Sequence, residues 1–351
     1  MADALRPRSA VLKMAPYSPP TAGRADKLRL DFNENTVGCS PRVLEHLRER
    51  LGAGQLSVYP EYGEAKRELG AFFGVSPEEF VFTNGTDEAI QVVVNTYVDD
   101  GDEVLLLKPS YAMYRFYAEV AGASIREIEY RQPDLAFPLE ELLDAITPAT
   151  RAVLIANPNN PTGSATAIDG IARILDRAQN AAVLLDEAYF EFYGVTALPL
   201  LARFPNLFVS RTFSKVYGLA GMRCGCLFSD AGNVAYLHKA QSPYSVNAVA
   251  VMAARAAIQD PGYIKAYVAE ALEARAMMRE GLERLGIGCY PSEGNFLLMR
   301  IGPRAKEICG VLRERGILVR DRSYEIAGTV RVTAGTREQA ARFLAAMREI
   351  W

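Results

Sequence analysis

The stretch LLDEAYFEF, residues 184–192, joins an apolar run directly to a carboxylate. We predict a buried strand over Val183–Leu185, which places Asp186 at the carboxyl end of that strand. Ligands of an open parallel sheet bind outside the carboxyl ends of its strands. A carboxylate in this position suits a cationic ligand atom, although strand-end aspartates also cap helices or bind metals.

Similar short apolar runs lie on both sides of this stretch, with amphipathic segments between several of them. The predicted strands are Phe80–Thr83, Val104–Leu107, Ile125–Tyr130, Ala152–Ala156, Val183–Leu185, Leu207–Ser210 and Cys226–Phe228. The predicted helices between them are Asp87–Tyr97, Tyr114–Ala121 and Ile168–Gln179. Continuous β-rich runs separated by helices indicate the α/β class, with a mostly parallel sheet covered by helices on both faces.

The chain has 351 residues, which is long enough for two unequal domains. We predict an N-terminal arm over residues 1–30, a large domain over residues 31–244 and a small α+β domain over residues 245–351. The small domain begins with one Ala-rich helical stretch from about residue 247 to about residue 285. The arm is too short to fold alone, so we expect it to pack on the small domain and the active site, or on a second subunit.

Composition argues against several kinds of partner. The formal net charge is −3, and no long basic run is present to bind nucleic acid. The two histidines lie far apart in the sequence, so we expect no metal site. No segment has the length of a membrane span or the apolar core of a signal peptide. Five cysteines without the spacing of a redox or zinc pair indicate reduced thiols and a cytoplasmic protein.

Three more segments place polar groups after predicted strands. Gly85 allows a turn into a helix whose N-terminus, with Thr86, suits a phosphate, while Asp87 beside it weakens the attraction for an anion. Asn157 offers an amide in a turn shaped by Asn-Pro steps. Lys215 follows a strand in TFSKVYGLAGMRCG. Taken singly, each segment also fits an ordinary helix cap, rigid loop or surface turn.

Together these segments bring an amine, a carboxylate, an amide and a phosphate cradle to one edge of the sheet. Pyridoxal 5′-phosphate carries the complementary groups, namely an aldehyde, a pyridine nitrogen, a phenolic oxygen and a phosphate. We predict that Lys215 reacts with the aldehyde and that Asp186 keeps the pyridine nitrogen protonated. Tyr189 and Asn157 are predicted to bond the phenolic oxygen, and Tyr111 to stack on the ring. The residues predicted to hold the phosphate are Thr212, Ser214 and Arg223.

The ordered motifs NPNNPTG, LLDEAYFEF, RTFSKVYGLAGMRCG, KPSYAMY and TVRVTAGT resemble the class II, fold type I pyridoxal-phosphate-dependent aminotransferases, and above all the histidinol-phosphate aminotransferase family. The resemblance runs from MAPYSPP near the start to GILVRD near the end. It implies that Lys215 forms the internal aldimine and moves the proton at the substrate α-carbon. It also implies a homodimer with shared active sites, in which Tyr59 reaches the cofactor phosphate of the other subunit.

The resemblance also implies a set of substrate-binding residues. Arg331 in TVRVTAG matches the arginine that grips the substrate anion, and Arg320 in ILVRD matches an extra position of the histidinol-phosphate enzymes. Two arginines suit a phosphate better than one carboxylate, although Arg320 could instead pair with Asp321 or Glu325 at the surface. The other residues assigned to the substrate are Tyr17, Asn35, Asn157 and Asn295.

Other functions stay open at this point. Aminotransferases that act on phenylalanine or tyrosine have nearly the same residues, and threonine-phosphate decarboxylase shares the fold and the Lys-Asp-Arg set. The arm motif APYSPP favours the aminotransferase over the decarboxylase. A transcription regulator would need a DNA-binding module, for which the arm has no room. We therefore predict amino transfer from histidinol phosphate to 2-oxoglutarate, a reaction of histidine biosynthesis.

Overall fold

The computed structural model describes residues 5–16 and 22–351. The strands are β1 (Leu28–Arg29), β2 (Phe80–Thr83), β3 (Glu103–Lys108), β4 (Ser124–Glu129), β5 (Thr150–Ala156), β6 (Ala182–Asp186), β7 (Leu207–Thr212), β8 (Gly225–Phe228), β9 (Phe296–Arg300), β10 (Ile317–Leu318), β11 (Arg320–Asp321) and β12 (Thr329–Thr333). The α-helices are α1 (Ser9–Lys13), α2 (Pro41–Arg50), α3 (Ala53–Ser57), α4 (Gly63–Phe73), α5 (Gly85–Tyr97), α6 (Ala112–Ala121), α7 (Leu139–Ala145), α8 (Ile168–Arg177), α9 (Phe190–Tyr193), α10 (Ala231–Ala240), α11 (Ala248–Ile258), α12 (Pro261–Arg284), α13 (Ala305–Glu314) and α14 (Arg337–Ile350). Within these described ranges, no helix is both long enough and apolar enough to cross a membrane.

The largest sheet has seven strands in the order β2-β8-β7-β6-β5-β3-β4. Strand β8 runs antiparallel to both of its neighbours, and the other six strands run in one direction. Every strand predicted from the sequence between residues 80 and 228 belongs to this sheet. The α/β class is therefore confirmed.

Strand β6 shows why the apolar runs were recognisable. Val183 and Leu185 pack into the hydrophobic layer on one face of the sheet, and Ala182 and Leu184 pack into the layer on the other face. Because both faces are covered, the strand is apolar at every position until Asp186. The register pairs Asp186 with Ser210 of β7, so the polar end of β6 lies beside the end of β7.

The C-terminal part of the chain forms a second sheet, antiparallel and ordered β11-β12-β9. Its apolar residues pack with α12, α13 and α14 into a separate core. The Ala-rich stretch is not one helix, because it divides into α11 and α12. Pro261 occupies the first turn of α12 and the side chain of Asp260 accepts from the backbone N–H of Tyr263, so a new helix begins there.

The N-terminal arm contacts both parts of the chain. Helix α1 lies against α6, which covers the large sheet, and a guanidinium nitrogen of Arg8 is 3.5 Å from the carbonyl oxygen of Ala121. Further along, β1 pairs in parallel with β10 next to the C-terminal sheet. The expected packing on the small domain thus applies to β1, whereas α1 packs on the other unit. The domain boundaries at residues 30 and 244 stay a prediction.

A buried ion pair lies directly behind the predicted site. The Nε of Arg211 donates to an oxygen of Glu187 at 2.7 Å, and both side chains are almost completely buried. Glu187 also accepts from the hydroxyl of Thr196 and the backbone N–H of Ala197. Burial raises the pKa of Glu187, and the charge of Arg211 opposes that rise. Each charge therefore depends on its partner.

We expect Arg211→Met to lower the free energy of unfolding by about 3–5 kcal/mol, because it leaves the carboxylate of Glu187 buried without a cation. Urea denaturation followed by circular dichroism measures this loss. The matched control is Arg203→Met, which breaks an ion pair with Asp176 in which both side chains are largely exposed. That control should change the free energy by less than about 1 kcal/mol. Equal losses in the two variants would contradict the prediction.

Candidate active site

A cavity of about 570 Å³ opens where β5, β6 and β7 end, and β11 and β12 contribute to its wall. It brings together residues from widely separated parts of the sequence. The predicted site residues that line it are Thr86, Asp87, Tyr111, Asp186, Tyr189, Thr212, Ser214, Lys215, Arg223, Arg320 and Arg331. The groups that follow β6 and β7 therefore lie at the carboxyl edge of the sheet, as the sequence predicts.

Asp186 is 4% exposed and held from three sides. The hydroxyl of Tyr114 donates to one oxygen at 2.9 Å, and the hydroxyl of Ser210 and the backbone N–H of Ala188 donate to the other. Burial raises the pKa of Asp186 to about 6, and these hydrogen bonds oppose the rise. Among the described residues Asp186 forms no ion pair, so a cationic ligand atom would complete its environment. Tyr114 was not predicted from the sequence.

Lys215 lies three residues beyond the end of β7, in a turn whose neighbouring residues are buried. Its Nζ donates to the carbonyl oxygen of Phe32 at 2.9 Å and lies 5.9 Å from the ring centroid of Tyr189. A backbone carbonyl orients an amine without neutralising it with a full negative charge. The amine therefore lies beside the cavity, and it forms no ion pair with a carboxylate of the described residues.

The start of α5 forms the predicted phosphate cradle. Gly85 has φ +74°, a left-handed conformation that favours glycine, and a Cβ added there would lie 2.5 Å from a guanidinium nitrogen of Arg223 and displace it. Arg223 pairs with Asp87 at 3.1 Å, and Asp87 also accepts from the hydroxyl of Tyr111 at 2.8 Å. The helix N-terminus, Thr86 and Arg223 supply the donors that an anion requires.

The structure corrects the prediction for Asn157. Its Nδ2 donates to the carbonyl oxygen of Thr166 at 3.1 Å, and its Oδ1 accepts from the N–H of Thr166 at 2.9 Å. Both ends of the amide are therefore used to close the turn, and Asn157 does not line the cavity. Asn160 lines it instead, and its Oδ1 accepts from a terminal nitrogen of Arg331. The motif NPNNPTG contains three asparagines, and spacing alone does not tell which one faces the site.

Asn35 and Asn295 also lie outside the cavity lining. Asn35 donates to the carbonyl oxygen of Val216 at 2.9 Å and accepts from the N–H of Val37, so it holds a backbone turn. Asn295 donates to the carbonyl oxygen of Asn33 at 3.2 Å. Both side chains are buried. Their contacts position backbone near the site, although the Oδ1 of Asn295 has no hydrogen-bond partner in the part of the chain that the structure describes.

Tyr59, which was predicted to reach the cofactor phosphate of the other subunit, does not line the cavity of its own chain. Tyr59 is 72% exposed, and its ring stacks on that of Tyr244 with 4.3 Å between the ring centroids. Tyr17 lies outside the described residues. The role of each stays a prediction.

One segment, in which the sequence analysis singled out only Asn35, connects the two sides of the cavity. In this linking segment, residues 31–35, the carbonyl oxygen of Phe32 accepts from Lys215. The carbonyl oxygen of Asp31 accepts from a terminal nitrogen of Arg331 at 2.5 Å. Adjacent peptide groups thus bind the predicted reactive amine and the predicted substrate-binding arginine.

Side chains of the linking segment reinforce this connection. Asn33 has φ +56°, and its Nδ2 donates to the hydroxyl oxygen of Tyr189 at 2.9 Å while its Oδ1 accepts from the hydroxyl of Thr333 at 3.0 Å. Arg24 donates to both oxygens of Asp31 and both oxygens of Glu34. The segment is therefore tied to both sheets.

The arginines of the C-terminal sheet form the cationic wall of the cavity. Arg331 is 3% exposed, and burial, together with the charges of Arg322 and Arg320, lowers its pKa to about 10. Arg320 is its direct partner in the β11–β12 register, and its guanidinium lies 5.6 Å from the ring centroid of Phe32. Arg320 pairs with neither Asp321 nor Glu325, since Glu325 pairs with Arg322. The alternative that Arg320 forms a surface ion pair with Asp321 or Glu325 is therefore wrong.

The donor set fits pyridoxal phosphate. Asp186 offers a buried carboxylate that pairs with no cation in the described part of the chain, which matches a protonated ring nitrogen. Lys215 offers an amine, and the hydroxyls of Thr86, Thr212 and Ser214, with Arg223, surround a place for a phosphate. The cationic wall leaves room for an anionic substrate group in the same cavity.

Comparison with known proteins agrees with this interpretation along the whole chain. A family model for aminotransferase class I and II matches residues 25–347. The chain is 35% identical to the histidinol-phosphate aminotransferase of Symbiobacterium thermophilum over 97% of each chain. It is 33% identical to that of Bacillus subtilis over 99% of this chain and 100% of the relative. The histidinol-phosphate aminotransferase structure from Sinorhizobium meliloti, in complex with pyridoxal-5′-phosphate, has a TM-score of 0.89 at 25% identity and covers 99% of this chain and 98% of its own.

We expect Asp186→Asn to stabilise the cofactor-free protein at neutral pH. The pKa of Asp186 rises from 3.8 to about 6 on folding, so the folded state binds the proton more tightly and loses stability as the pH rises through that window. The variant should exceed the wild type by about 2–3 kcal/mol at about pH 8 and match it near pH 4. Urea denaturation at the two pH values measures the difference. Asp176→Asn, at an exposed aspartate, serves as control, and a variant less stable than the wild type at the higher pH would refute the expectation.

Proposed function

Because the chain belongs to the class I and II aminotransferase family and is a pyridoxal-phosphate-dependent aminotransferase, we propose that histidinol phosphate is its amino donor and 2-oxoglutarate its acceptor. The observation that carries this proposal is the directly opposed pair Arg320 and Arg331 in the wall of the cavity that contains Lys215. A phosphomonoester has nearly two negative charges and can accept from both guanidinium groups. Histidinol-phosphate aminotransferases with 33–35% identity over nearly the whole chain support the same donor.

The chemistry requires a base that removes the α-proton of the donor and delivers it to the cofactor. Pyridoxal phosphate, when bound, supplies an electron-accepting ring. We assign the proton transfer to the Nζ of Lys215, which bonds only to the carbonyl oxygen of Phe32 among the described residues. Asp186 maintains the proton on the ring nitrogen, because its buried carboxylate pairs with no cation of the residues that the structure describes.

Two further groups orient the ring. Tyr189 accepts from Asn33 and so keeps its own hydroxyl hydrogen to donate to the phenolic oxygen. Asn160 is the amide that we assign to that oxygen in place of Asn157, since its side chain lines the cavity. The phosphate of the cofactor is assigned to Thr86, Thr212, Ser214 and Arg223.

A donor with a carboxylate in place of the phosphate fits this wall less well. A carboxylate has one negative charge, so Arg320 or Arg331 would remain without a full counterion. Both arginines line a cavity that is enclosed largely by protein atoms, and a charge without a counterion is unfavourable in such a place. The arrangement therefore favours a phosphomonoester donor over phenylalanine or tyrosine.

We also propose a homodimer with shared sites. Tyr59 is exposed and lies outside the cavity of its own chain, as does its stacking partner Tyr244. A large exposed aromatic pair is typical of a surface that contacts another protein. In the dimer, Tyr59 would donate to the cofactor phosphate bound by the other subunit.

A screen of half-reactions tests the donor. The holoenzyme is mixed with histidinol phosphate, phenylalanine, tyrosine, glutamate or threonine phosphate, and absorbance follows conversion of the cofactor from its aldehyde to its amine form. We expect histidinol phosphate to react roughly 100-fold or more faster than phenylalanine, because buried charged groups reject a ligand that does not pair with them. Histidinol, which lacks the phosphate, is the matched control. Faster reaction with an aromatic amino acid would refute the donor, and release of carbon dioxide from threonine phosphate would indicate a decarboxylase.

Complementation tests the shared site. Lys215→Ala and Tyr59→Ala should each lose most activity alone, and subunit exchange between them should restore about a quarter of wild-type activity, because half of the dimers then contain one intact site. A mixture of Lys215→Ala and Asp186→Ala is the control and should restore none, since both residues belong to the same chain's site. Absence of recovery in the first mixture would contradict a shared site that contains Tyr59.

A further inference from the structure

Three arginines lie on one face of the β11–β12 hairpin. Arg320 and Arg331 are directly opposed in the antiparallel register. Arg322 follows Arg320 by two residues, and its backbone N–H donates to the carbonyl oxygen of Thr329 at 3.0 Å, which continues the ladder. Residues two apart on a strand, and residues directly opposite each other, project from the same face. All three arginines line the cavity that contains Lys215.

The guanidinium of Arg322 is buried and incompletely bonded. The residue is 7% exposed, one terminal nitrogen pairs with Glu325, and its central carbon lies 5.3 Å from the ring centroid of Tyr324. Within the described ranges its Nε has no hydrogen-bond partner, and the Nε of Arg331 has none either. Buried N–H groups nearly always have an acceptor. Two neighbouring guanidinium groups beside one cavity thus each lack one acceptor.

The charges around the cavity show the same deficit. Among the described residues Glu325 is the carboxylate that pairs with this cluster, whereas Asp31 and Glu34 pair with two other arginines, Arg24 and Arg29. Three positive charges therefore face one negative charge. The excess of two matches the charge of a phosphomonoester dianion and exceeds that of a carboxylate.

We propose that Arg322 is a third ligand for the phosphate of the amino donor and makes the site prefer phosphomonoester over carboxylate donors. The proposal rests on the proposed function for the identity of the donor. Glu325 holds one terminal nitrogen of Arg322 and leaves Nε for a ligand oxygen. A phosphoryl group has three outer oxygens, one for each arginine, whereas a carboxylate has two. Arg322 therefore determines specificity without taking part in proton transfer.

A purely structural role makes a different prediction. Arg322 and Glu325 are three residues apart, and their pairing could simply hold the loop between β11 and β12. Removing either partner would then have the same consequence. If Arg322 binds the phosphate, its removal weakens phosphate binding, whereas removal of Glu325 adds net positive charge and does not weaken it.

The test uses the holoenzyme, in which the cofactor occupies its own phosphate site. Arg322→Gln should raise the Kd of inorganic phosphate, measured by calorimetry, and the KM of histidinol phosphate by about 10- to 100-fold. The value of kcat should change by less than about threefold, because the arginine binds the donor equally before and during the reaction. Glu325→Gln should leave both constants unchanged or lower. Arg304→Gln, in an exposed pair with Glu307 of the same spacing, controls for loss of one charge.

Several outcomes would overturn the proposal. One is an unchanged phosphate Kd in Arg322→Gln. The other is an equal rise of the phosphate Kd in Arg322→Gln and Glu325→Gln. Arg322→Lys keeps the charge and loses the Nε donor. It replaces Arg322→Gln in this test where that variant does not fold, and it should raise the phosphate Kd by about threefold or more. A wild-type enzyme that does not use histidinol phosphate refutes the proposed donor. A fall in phosphate affinity in Arg322→Gln would still support Arg322 as a phosphate ligand in that case.

Discussion

The active site depends on the linking segment, residues 31–35, which binds both of its sides through the backbone. The carbonyl oxygen of Phe32 accepts from Lys215, and the carbonyl oxygen of Asp31 accepts from Arg331. Asn33, the next residue, is left-handed at φ +56°, and its side chain bonds Tyr189 of the large unit and Thr333 of the C-terminal sheet. Asparagine tolerates that conformation better than most residues. The spacing between amine and substrate arginine is thus determined by two adjacent peptide groups.

The cavity contains groups that the protein alone does not satisfy. Among residues 5–16 and 22–351, Asp186 is a buried carboxylate without a cation, and Arg322 and Arg331 are buried cations whose Nε atoms each lack an acceptor. Such groups are unfavourable in the free protein, and a protonated ring nitrogen and a phosphate would complete them. The neighbouring pair Glu187 and Arg211 is complete within the protein. Of these two adjacent carboxylates, Glu187 has a structural role because Arg211 neutralises it, whereas Asp186 is available to bind a ligand.

Much of this architecture could be predicted from the sequence. The central strands β5, β6 and β7 each contain a continuous apolar run because both of their faces are packed, so the α/β class and the ends of these strands were recognisable. Their positions after strands then identified Asp186 and Lys215, and the family resemblance added Arg331. The Ala-rich stretch was harder, because alanines favour a helix throughout and a single Pro261 decides where it divides.

The sequence by itself determined the strands, the polar residues at their ends and the family, because those depend on local hydrophobic pattern and on ordered motifs. Only the tertiary structure decided which polar side chains face the cavity. Asn157 and Asn160 lie three residues apart in one motif, yet Asn157 closes a turn on Thr166 and Asn160 meets Arg331 from the other sheet. Arg322 joins Arg320 and Arg331 through strand register and burial. These assignments depend on contacts between distant segments, which local pattern does not encode.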